Sequence, residues 1–205
     1  MDSKNLEFTF CSSSPRVIFG AGCIQRLPSE LRGVDVDKPV IISSPTRQAL
    51  AESILAVLET SSIIAAGVID WAVVHVPVPV SDAAVAKARS LSADAVISVG
   101  GGSAVGLGKA ISLRTGWPHI CIPTTYSGSE MTDILGEVMD GKKIAKRSPQ
   151  VLPAIILYDP DLTLHLPISV SAGSAMNAMA HSSKGSKQLS ATCIRSCFLL
   201  TNAML

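Results

Sequence analysis

The chain has 205 residues, of which 47% are hydrophobic and only 4% aromatic, and its 17 basic and 16 acidic side chains leave a net charge of +1. This balance provides no field that would direct the chain to nucleic acid or to an anionic membrane, and no apolar run approaches the roughly 20 residues of a membrane span. Five cysteines without a CxxC pair argue against a disulfide framework or a zinc site, so we expect a cytoplasmic protein.

Strands and helices alternate along the chain. Apolar β-branched runs predict a strand pair within 8–19 and further strands at Pro39–Ile42 and Ile155–Tyr158. Val73–Val80 is predicted as another strand, and its two prolines suit a sheet edge or a loop. Apolar residues at helical spacing predict helices at Cys23–Leu31 and Arg47–Leu58, and another at Asp82–Leu91 with Ser81 as its N-cap. This alternation is typical of an α/β domain with a mostly parallel sheet.

The GGGS run at 100–103 is the most informative part of the sequence. It follows the predicted buried strand Ala95–Val99 directly and begins with Gly100, Gly101 and Gly102. Without side chains, these residues let the backbone take positive φ and admit a bulky anion. Ser103 is placed to cap the next helix, whose free N–H groups and positive dipole end favour a phosphate. The alternative is a glycine-rich turn that holds no ligand.

A second strand, Ile120–Pro123, runs into a segment rich in hydroxyl groups. Its candidate donors to phosphate or ribose are Thr124, Thr125 and Ser127. Ligands in open α/β sheets bind at the carboxyl ends of the strands, so we expect both strand ends to line one cofactor site. Lys109 lies beyond the first turn of its helix and is not assigned to the phosphate.

Three later features bear on function. The Asp140–Gly141 pair predicts a hairpin turn, and the planar guanidinium of Arg147 is a candidate for binding a substrate carboxylate. Asn177 and His181 are four residues apart and share one helix face. An amide is a poor ligand for iron or zinc, so we expect no tightly bound metal; a role as metal ligand falls to His181 if to any residue.

Three motifs, GGGSAVGLGKAI, IPTTYSGSEMT and SAMNAMAH, resemble the iron-containing alcohol dehydrogenase superfamily, which includes the glycerol dehydrogenases. The resemblance extends from Phe8 to His181. Within the superfamily it is closest to the maleylacetate reductases. Gly106 stands where metal-dependent members carry an aspartate, and Tyr126 and Met131 belong to this form of the second motif.

This resemblance implies an NADH- or NADPH-dependent oxidoreductase that reduces the carbon–carbon double bond of maleylacetate to give 3-oxoadipate. The implied partners are a small dicarboxylate substrate and, in the full-length family form, a second copy of the chain. The resemblance also implies a cofactor contact for Lys143, substrate contacts for Asn177 and Tyr126, and a substrate-binding or acid role for His181. No acid stands at 44–46 to favour a ribose hydroxyl over a phosphate, so both cofactors stay open.

The predicted organisation is an α/β dinucleotide-binding domain over 1–165, the first helix of an all-helical domain over 166–181, and a divergent, disordered tail over 182–205. The resemblance ends at His181. The resemblance implies an active site in a cleft between two domains, of which this chain keeps the nucleotide side and lacks most of the substrate side. Because the acceptor must be held against the hydride donor, we expect little or no reductase activity from this chain. Two alternatives stay open, a fragment of a metal-dependent alcohol or glycerol dehydrogenase, against which Asn177 argues, and a non-catalytic nucleotide-binding remnant.

Overall fold

The computed structural model describes residues 15–164 and 166–185. Its strands are β1 (Arg16–Phe19), β2 (Pro39–Ile42), β3 (Gly67–Ile69), β4 (Ala95–Gly100), β5 (His119–Pro123), β6 (Ile134–Met139), β7 (Lys142–Arg147) and β8 (Ile155–Tyr158). Six of them form one sheet in the order β3-β2-β4-β5-β8-β1, in which every neighbouring pair is parallel. The predicted α/β fold with a mostly parallel sheet is confirmed.

Helices cover both faces of this sheet. These helices are α1 (Leu27–Arg32), α2 (Gln48–Glu59), α3 (Val78–Ser90) and α4 (Gly102–Thr115), and a fifth helix, α5 (Ile168–Gly185), follows the last strand of the sheet in the chain. Alternate residues of a strand enter different cores: Ile41 packs in the cluster that contains α1 and α2, and Val40 packs in the cluster that contains α3 and α4. Strands buried on both faces explain the continuous apolar runs of the sequence.

The order of the strands reverses next to β2. The chain passes from β2 to its neighbour β3 and then returns to β4 on the other side of β2. Helices on opposite faces leave a crevice at such a switch point, outside the carboxyl ends of the strands. The ends of β2, β4 and β5 are therefore where a ligand is expected.

The strands β6 and β7 form the hairpin that the sequence predicts. Asp140 and Gly141 at its turn have φ values of 51° and 73°, as a type I′ turn requires. The buried Glu137 fixes the hairpin against two helices, because its Oε1 accepts hydrogen bonds from Ser81 Oγ at 2.6 Å and from the Arg114 guanidinium at 2.7 Å. These hydrogen bonds hold β6 against the helices, and β7 is the solvent-exposed strand of the hairpin.

Two predictions about the segment before α3 are wrong. The strand expected at Val73–Val80 is instead a loop followed by the first turn of α3, which begins at Val78. Prolines are tolerated in the first turn of a helix, where an N–H has no helical partner. Ser81 lies inside α3 rather than at its N-cap, and its hydroxyl donates to the Val78 carbonyl at 3.0 Å.

Two buried carboxylates anchor the segment that follows β1. Asp159 Oδ1 accepts from Gly22 N–H at 3.0 Å, and its Oδ2 accepts from Ile24 N–H at 3.1 Å. Glu30 of α1 binds Arg16, with 2.6 Å between Glu30 Oε2 and Arg16 Nε. This hydrogen bond holds the pKa of Glu30 below its usual value. Both carboxylates therefore stabilise the packing of this segment against the end of the sheet.

The helix α5 continues through residues 182–185, and the rest of the predicted tail, 186–205, lies outside the described residues, as does the predicted strand over 8–14. In the part of the chain that the structure describes, no helix is long and apolar enough to cross a membrane.

Candidate cofactor site

The glycine run at the end of β4 forms a close contact with the end of β5. The N–H of Thr124 donates to the Gly100 carbonyl at 2.9 Å, and Gly100 has a φ of 138° that disfavours any side chain. A Cβ at Gly101 would lie 3.1 Å from Thr125 Cγ2 and 3.2 Å from its Oγ1. The absence of a side chain at 101 therefore lets the two strand ends approach each other.

The N-terminus of α4 is free of any side-chain cap. The helix begins at Gly102 with Gly101 as its N-cap, and the first described backbone bond runs from Val105 N–H to the Gly101 carbonyl. The expectation that Ser103 caps the helix is wrong, because Ser103 already lies inside the first turn. Uncapped N–H groups and the positive end of the helix dipole give this turn the chemistry of an anion site.

The segment Thr124–Ser129, here called the hydroxyl loop, lies beside that helix start. Ser127 Oγ is 3.9 Å from the position that a Cβ of Gly102 would take, and it lies 3.5 Å from Ser129 Oγ. Thr124 is fully buried, and its Oγ1 has no hydrogen-bond partner within the described residues. The structure thus brings together the glycine run and the predicted hydroxyl donors.

The end of β2 completes the crevice on its other side. Ser43 is fully buried there, and its Oγ also makes no hydrogen bond among the residues described. The next residues carry hydroxyls rather than acids, with Ser44 Oγ 3.3 Å from Thr46 Oγ1. Two buried hydroxyls without partners, at the ends of β2 and β5, are uncommon in a folded core and indicate a site for a polar ligand.

Asn177 of α5 contacts the hydroxyl loop. Its Nδ2 donates to the Ser127 carbonyl at 3.2 Å, so the substrate candidate and the cofactor candidates are in contact. Tyr126 lies in the hydroxyl loop next to Ser127, and its side chain is half-buried. His181 lies one turn further along α5, and its side chain is outside the described part of the structure.

The two basic candidates of the hairpin lie at opposite ends of β7. Arg147 pairs with Asp133 at 3.3 Å, close to where the loop after β5 enters β6. Lys143 lies opposite Val138 near the hairpin turn, with its Cε 3.4 Å from the place of a Cβ at Gly136. Arg147 is thus at the end of the hairpin that follows the hydroxyl loop, and Lys143 is at the end with the turn.

Sequence reasoning missed the buried Lys109, which is only 1% exposed. Its ammonium lies within 2.6–3.1 Å of the carbonyls of Ser129 and Thr132, of the Thr132 hydroxyl, and of the carbonyl of Ile134. Burial lowers the pKa of Lys109 to about 8. The signal in the sequence is a charged residue on the apolar face of a helix, where an ammonium needs partners.

Glu130, next to the hydroxyl loop, is a second missed residue. It is 2% exposed, and its Oε1 accepts from the Tyr158 hydroxyl at 2.8 Å, whereas its Oε2 has no hydrogen-bond partner among the described residues. Burial raises the pKa of this carboxyl. A buried carboxyl group, that of Glu130, and a buried ammonium, that of Lys109, therefore lie next to the hydroxyl loop.

Gly106 provides a close contact between α4 and the loop before α3. A Cβ at this position would lie 2.7 Å from Val76 Cγ2. Val76 has a φ of 44°, an unusual value for a β-branched residue, and its carbonyl accepts from Val138 N–H at 3.2 Å. The side chain of Val76 thus occupies the space that any larger residue at 106 would need.

The family profile of the iron-containing alcohol dehydrogenases matches residues 14–160. The chain belongs to this family. Among its relatives, the maleylacetate reductase of Rhizobium sp. (strain MTP-10005) is 43% identical over 177 residues, which are 86% of this chain and 50% of the relative. This family member thus spans about half the length of the curated relatives it matches.

Solved structures of other proteins share the fold of this chain. The maleylacetate reductase from Agrobacterium tumefaciens superposes with a TM-score of 0.81 at 42% identity, covering 86% of this chain and 50% of that one. The NAD+ complex of sulfoacetaldehyde reductase from Bifidobacterium kashiwanohense gives a TM-score of 0.77 at 22% identity, covering 86% and 53%.

The described residues do not form a site for the metal that the family name implies. Within them, no three His, Cys, Asp or Glu side chains converge as metal ligands. Asn177 is neutral, and its amide nitrogen faces the Ser127 carbonyl. An amide in this position supplies no negative charge, which makes it a poorer ligand for a divalent metal than a carboxylate.

Proposed function

We propose that this chain is the cofactor-binding part of an NAD(P)H-dependent reductase of the maleylacetate reductase type. The contact between the glycine run and the hydroxyl loop at the uncapped start of α4 carries this proposal. The pyrophosphate of the cofactor would bind the N–H groups of Gly102 and Ser103, where the helix dipole favours an anion. The same proposal includes the predicted organisation, in which the dinucleotide-binding domain extends over 1–165 and the first helix of an all-helical domain over 166–181.

The hydroxyls of the site orient the rest of the cofactor. Thr124 and Ser43 each offer a buried hydroxyl that has no hydrogen-bond partner among the described residues, and Thr125 and Ser127 flank the glycines. Hydroxyls donate and accept, so they suit the phosphates and ribose hydroxyls of either cofactor. Lys143 would add one cationic contact. Residues 44–46 after β2 include no acidic side chain that would repel the 2′-phosphate of NADPH, so either NADH or NADPH fits this proposal.

The substrate side would lie where α5 meets the hydroxyl loop. A reduction of this type adds hydride from the cofactor to one carbon of an activated C=C bond and a proton to the other. Asn177, Tyr126 and Arg147 are the proposed contacts for a dicarboxylate, in which an arginine binds a carboxylate through two parallel hydrogen bonds. His181 is the proposed proton donor, and no step in this scheme uses a metal.

A displacement titration tests the cofactor assignment. NADH should quench or enhance the protein fluorescence in a saturable manner, and ADP-ribose should displace it, because ADP-ribose carries the same pyrophosphate without the nicotinamide. NADH binding that ADP-ribose does not displace would place the nucleotide elsewhere. We expect little turnover from this chain, so the readout is a single turnover: slow oxidation of bound NADH by maleylacetate, without reduction of NAD+ by glycerol, would favour the reductase over a metal-dependent dehydrogenase.

A further inference from the structure

The ammonium of Lys109 is enclosed by the segment that joins the hydroxyl loop to β6. Three of its four neighbours are backbone carbonyls, those of Ser129 and Thr132 at 2.6 Å and of Ile134 at 3.0 Å. The fourth is Thr132 Oγ1 at 3.1 Å, which itself donates to the Ser129 carbonyl at 2.8 Å. A ring of inward-facing carbonyls is the arrangement that proteins use to hold a monovalent cation.

The charges around this ring also suit a cation. Glu130 and Asp133 belong to the enclosed segment, and both act electrostatically on Lys109. Two acidic residues next to three carbonyls make the interior of the loop negative, and a buried cation compensates that charge. A neutral side chain at 109 would take the ammonium donor away from the carbonyls of Ser129, Thr132 and Ile134, which is costly in a buried site.

The enclosed segment is connected to the cofactor site through short contacts. Ser129 carries the carbonyl that binds Lys109, and its hydroxyl lies 3.5 Å from that of Ser127. Ser127 in turn faces Gly102 and accepts from Asn177. Only Ser129 and Ser127 therefore lie between the ammonium and both the glycine run and Asn177, so a change at the ammonium can alter the cofactor side and the substrate side.

We infer that Lys109 is a positioning residue, a built-in monovalent cation that fixes the hydroxyl loop in the conformation that binds the cofactor. This inference rests on the proposed function for its link to the cofactor. It also specifies the chemistry of the space: a primary alkylammonium fits the ring of acceptors left when the side chain is shortened. Lys109 itself touches neither the cofactor nor the substrate in this scheme.

Chemical rescue tests the inference in the full 205-residue chain. Lys109→Ala removes the equivalent of n-propylammonium, so NADH binding should weaken by at least about tenfold, or about 1.4 kcal/mol. Added propylammonium should restore most of it, whereas 1-propanol, which has the same length without the charge, should not. Lys87→Ala removes an exposed lysine from α3 and serves as the matched control, with unchanged binding.

Hydrogen–deuterium exchange over residues 124–134 supplies a readout that does not depend on the cofactor. Exchange there should rise in Lys109→Ala and fall again with propylammonium, even if the wild-type chain fails to bind NADH; that result would refute the proposed function alone. Wild-type exchange and affinity in Lys109→Ala, or equal rescue by 1-propanol, would overturn the inference. Lys109→Met serves if Lys109→Ala does not fold, and failure of both variants to fold with or without propylammonium would also overturn it.

Discussion

Replacing Gly108 with alanine tests the contact between α4 and the sheet below the cofactor site. A Cβ at this position would lie 2.5 Å from His119 Nε2 and 3.1 Å from Ser98 Cβ. Both neighbours are buried, and Ser98 Oγ lies 2.6 Å from His119 Nε2. Because carbon atoms pack at about 3.5–4.0 Å, the imidazole has to move by about 1 Å.

The size of the effect follows from these contacts. Overpacking a tight core costs about 1–3 kcal/mol, and separating the Ser98–His119 pair leaves buried groups unsatisfied at a cost of about 1–3 kcal/mol. The better helix propensity of alanine offsets about 1 kcal/mol. We therefore expect Gly108→Ala to lower the free energy of unfolding by about 3 kcal/mol.

Urea unfolding measures this change directly. The matched control is Gly173→Ala in α5, where nothing lies within 4 Å of the added Cβ, and it should leave the stability unchanged or raise it slightly. The double variant Gly108→Ala/His119→Ala should be more stable than the sum of the single effects predicts, because it removes the clash. A Gly108→Ala chain as stable as the wild type would refute the packing argument.

Three further predictions concern charges outside this contact. Asp159→Ala should lower the free energy of unfolding by about 1–3 kcal/mol in urea, since the buried N–H of Ile24 and the more exposed N–H of Gly22 lose their acceptor. Because Arg16 holds the pKa of Glu30 low, the stability from this pair is present above the unfolded pKa of about 4.3 and is lost as the pH falls through the lower folded value. Glu30→Gln should remove that acid dependence in thermal unfolding, and an unchanged pH profile would contradict it. Lys143→Met should weaken NADH binding several-fold in a fluorescence titration, whereas Lys142→Met should not; equal effects would exclude a specific contact.

The sequence predicts most of the fold because the decisive signals are local. An apolar run such as Ala95–Val99, interrupted only by Ser98, identifies a strand buried on both faces without knowledge of its neighbours. The hairpin is equally local, since Asp140 and Gly141 both favour the positive φ that a type I′ turn needs. The strand ends then place the glycine run and the hydroxyl loop at one edge of the sheet.

Features that depend on distant residues could not be predicted. Lys109 finds its acceptors 20 to 25 residues further along the chain, so its helix gives no indication of what it binds. Pro77 and Pro79 interrupt an apolar run in a manner that fits an edge strand as well as the start of a helix. Ser103 is a good capping residue and would start the helix at 104, yet the helix begins two residues earlier, at Gly102, with Gly101 as its N-cap.

Titration of the purified chain with NADH and NADPH tests the central claim most directly, with Gly101→Asp as the key variant. Its Cβ would press on Thr125, and its carboxylate would occupy and repel the proposed phosphate site. Gly116→Asp places the same charge at the other end of α4, where nothing lies within 4 Å, and serves as the control; its φ of 76° is a left-handed value that aspartate adopts more readily than most other side chains. We predict saturable binding to the wild type and to Gly116→Asp, and none to a folded Gly101→Asp. Equal binding by all three, or none by the folded wild type, would contradict a cofactor site at the glycine run.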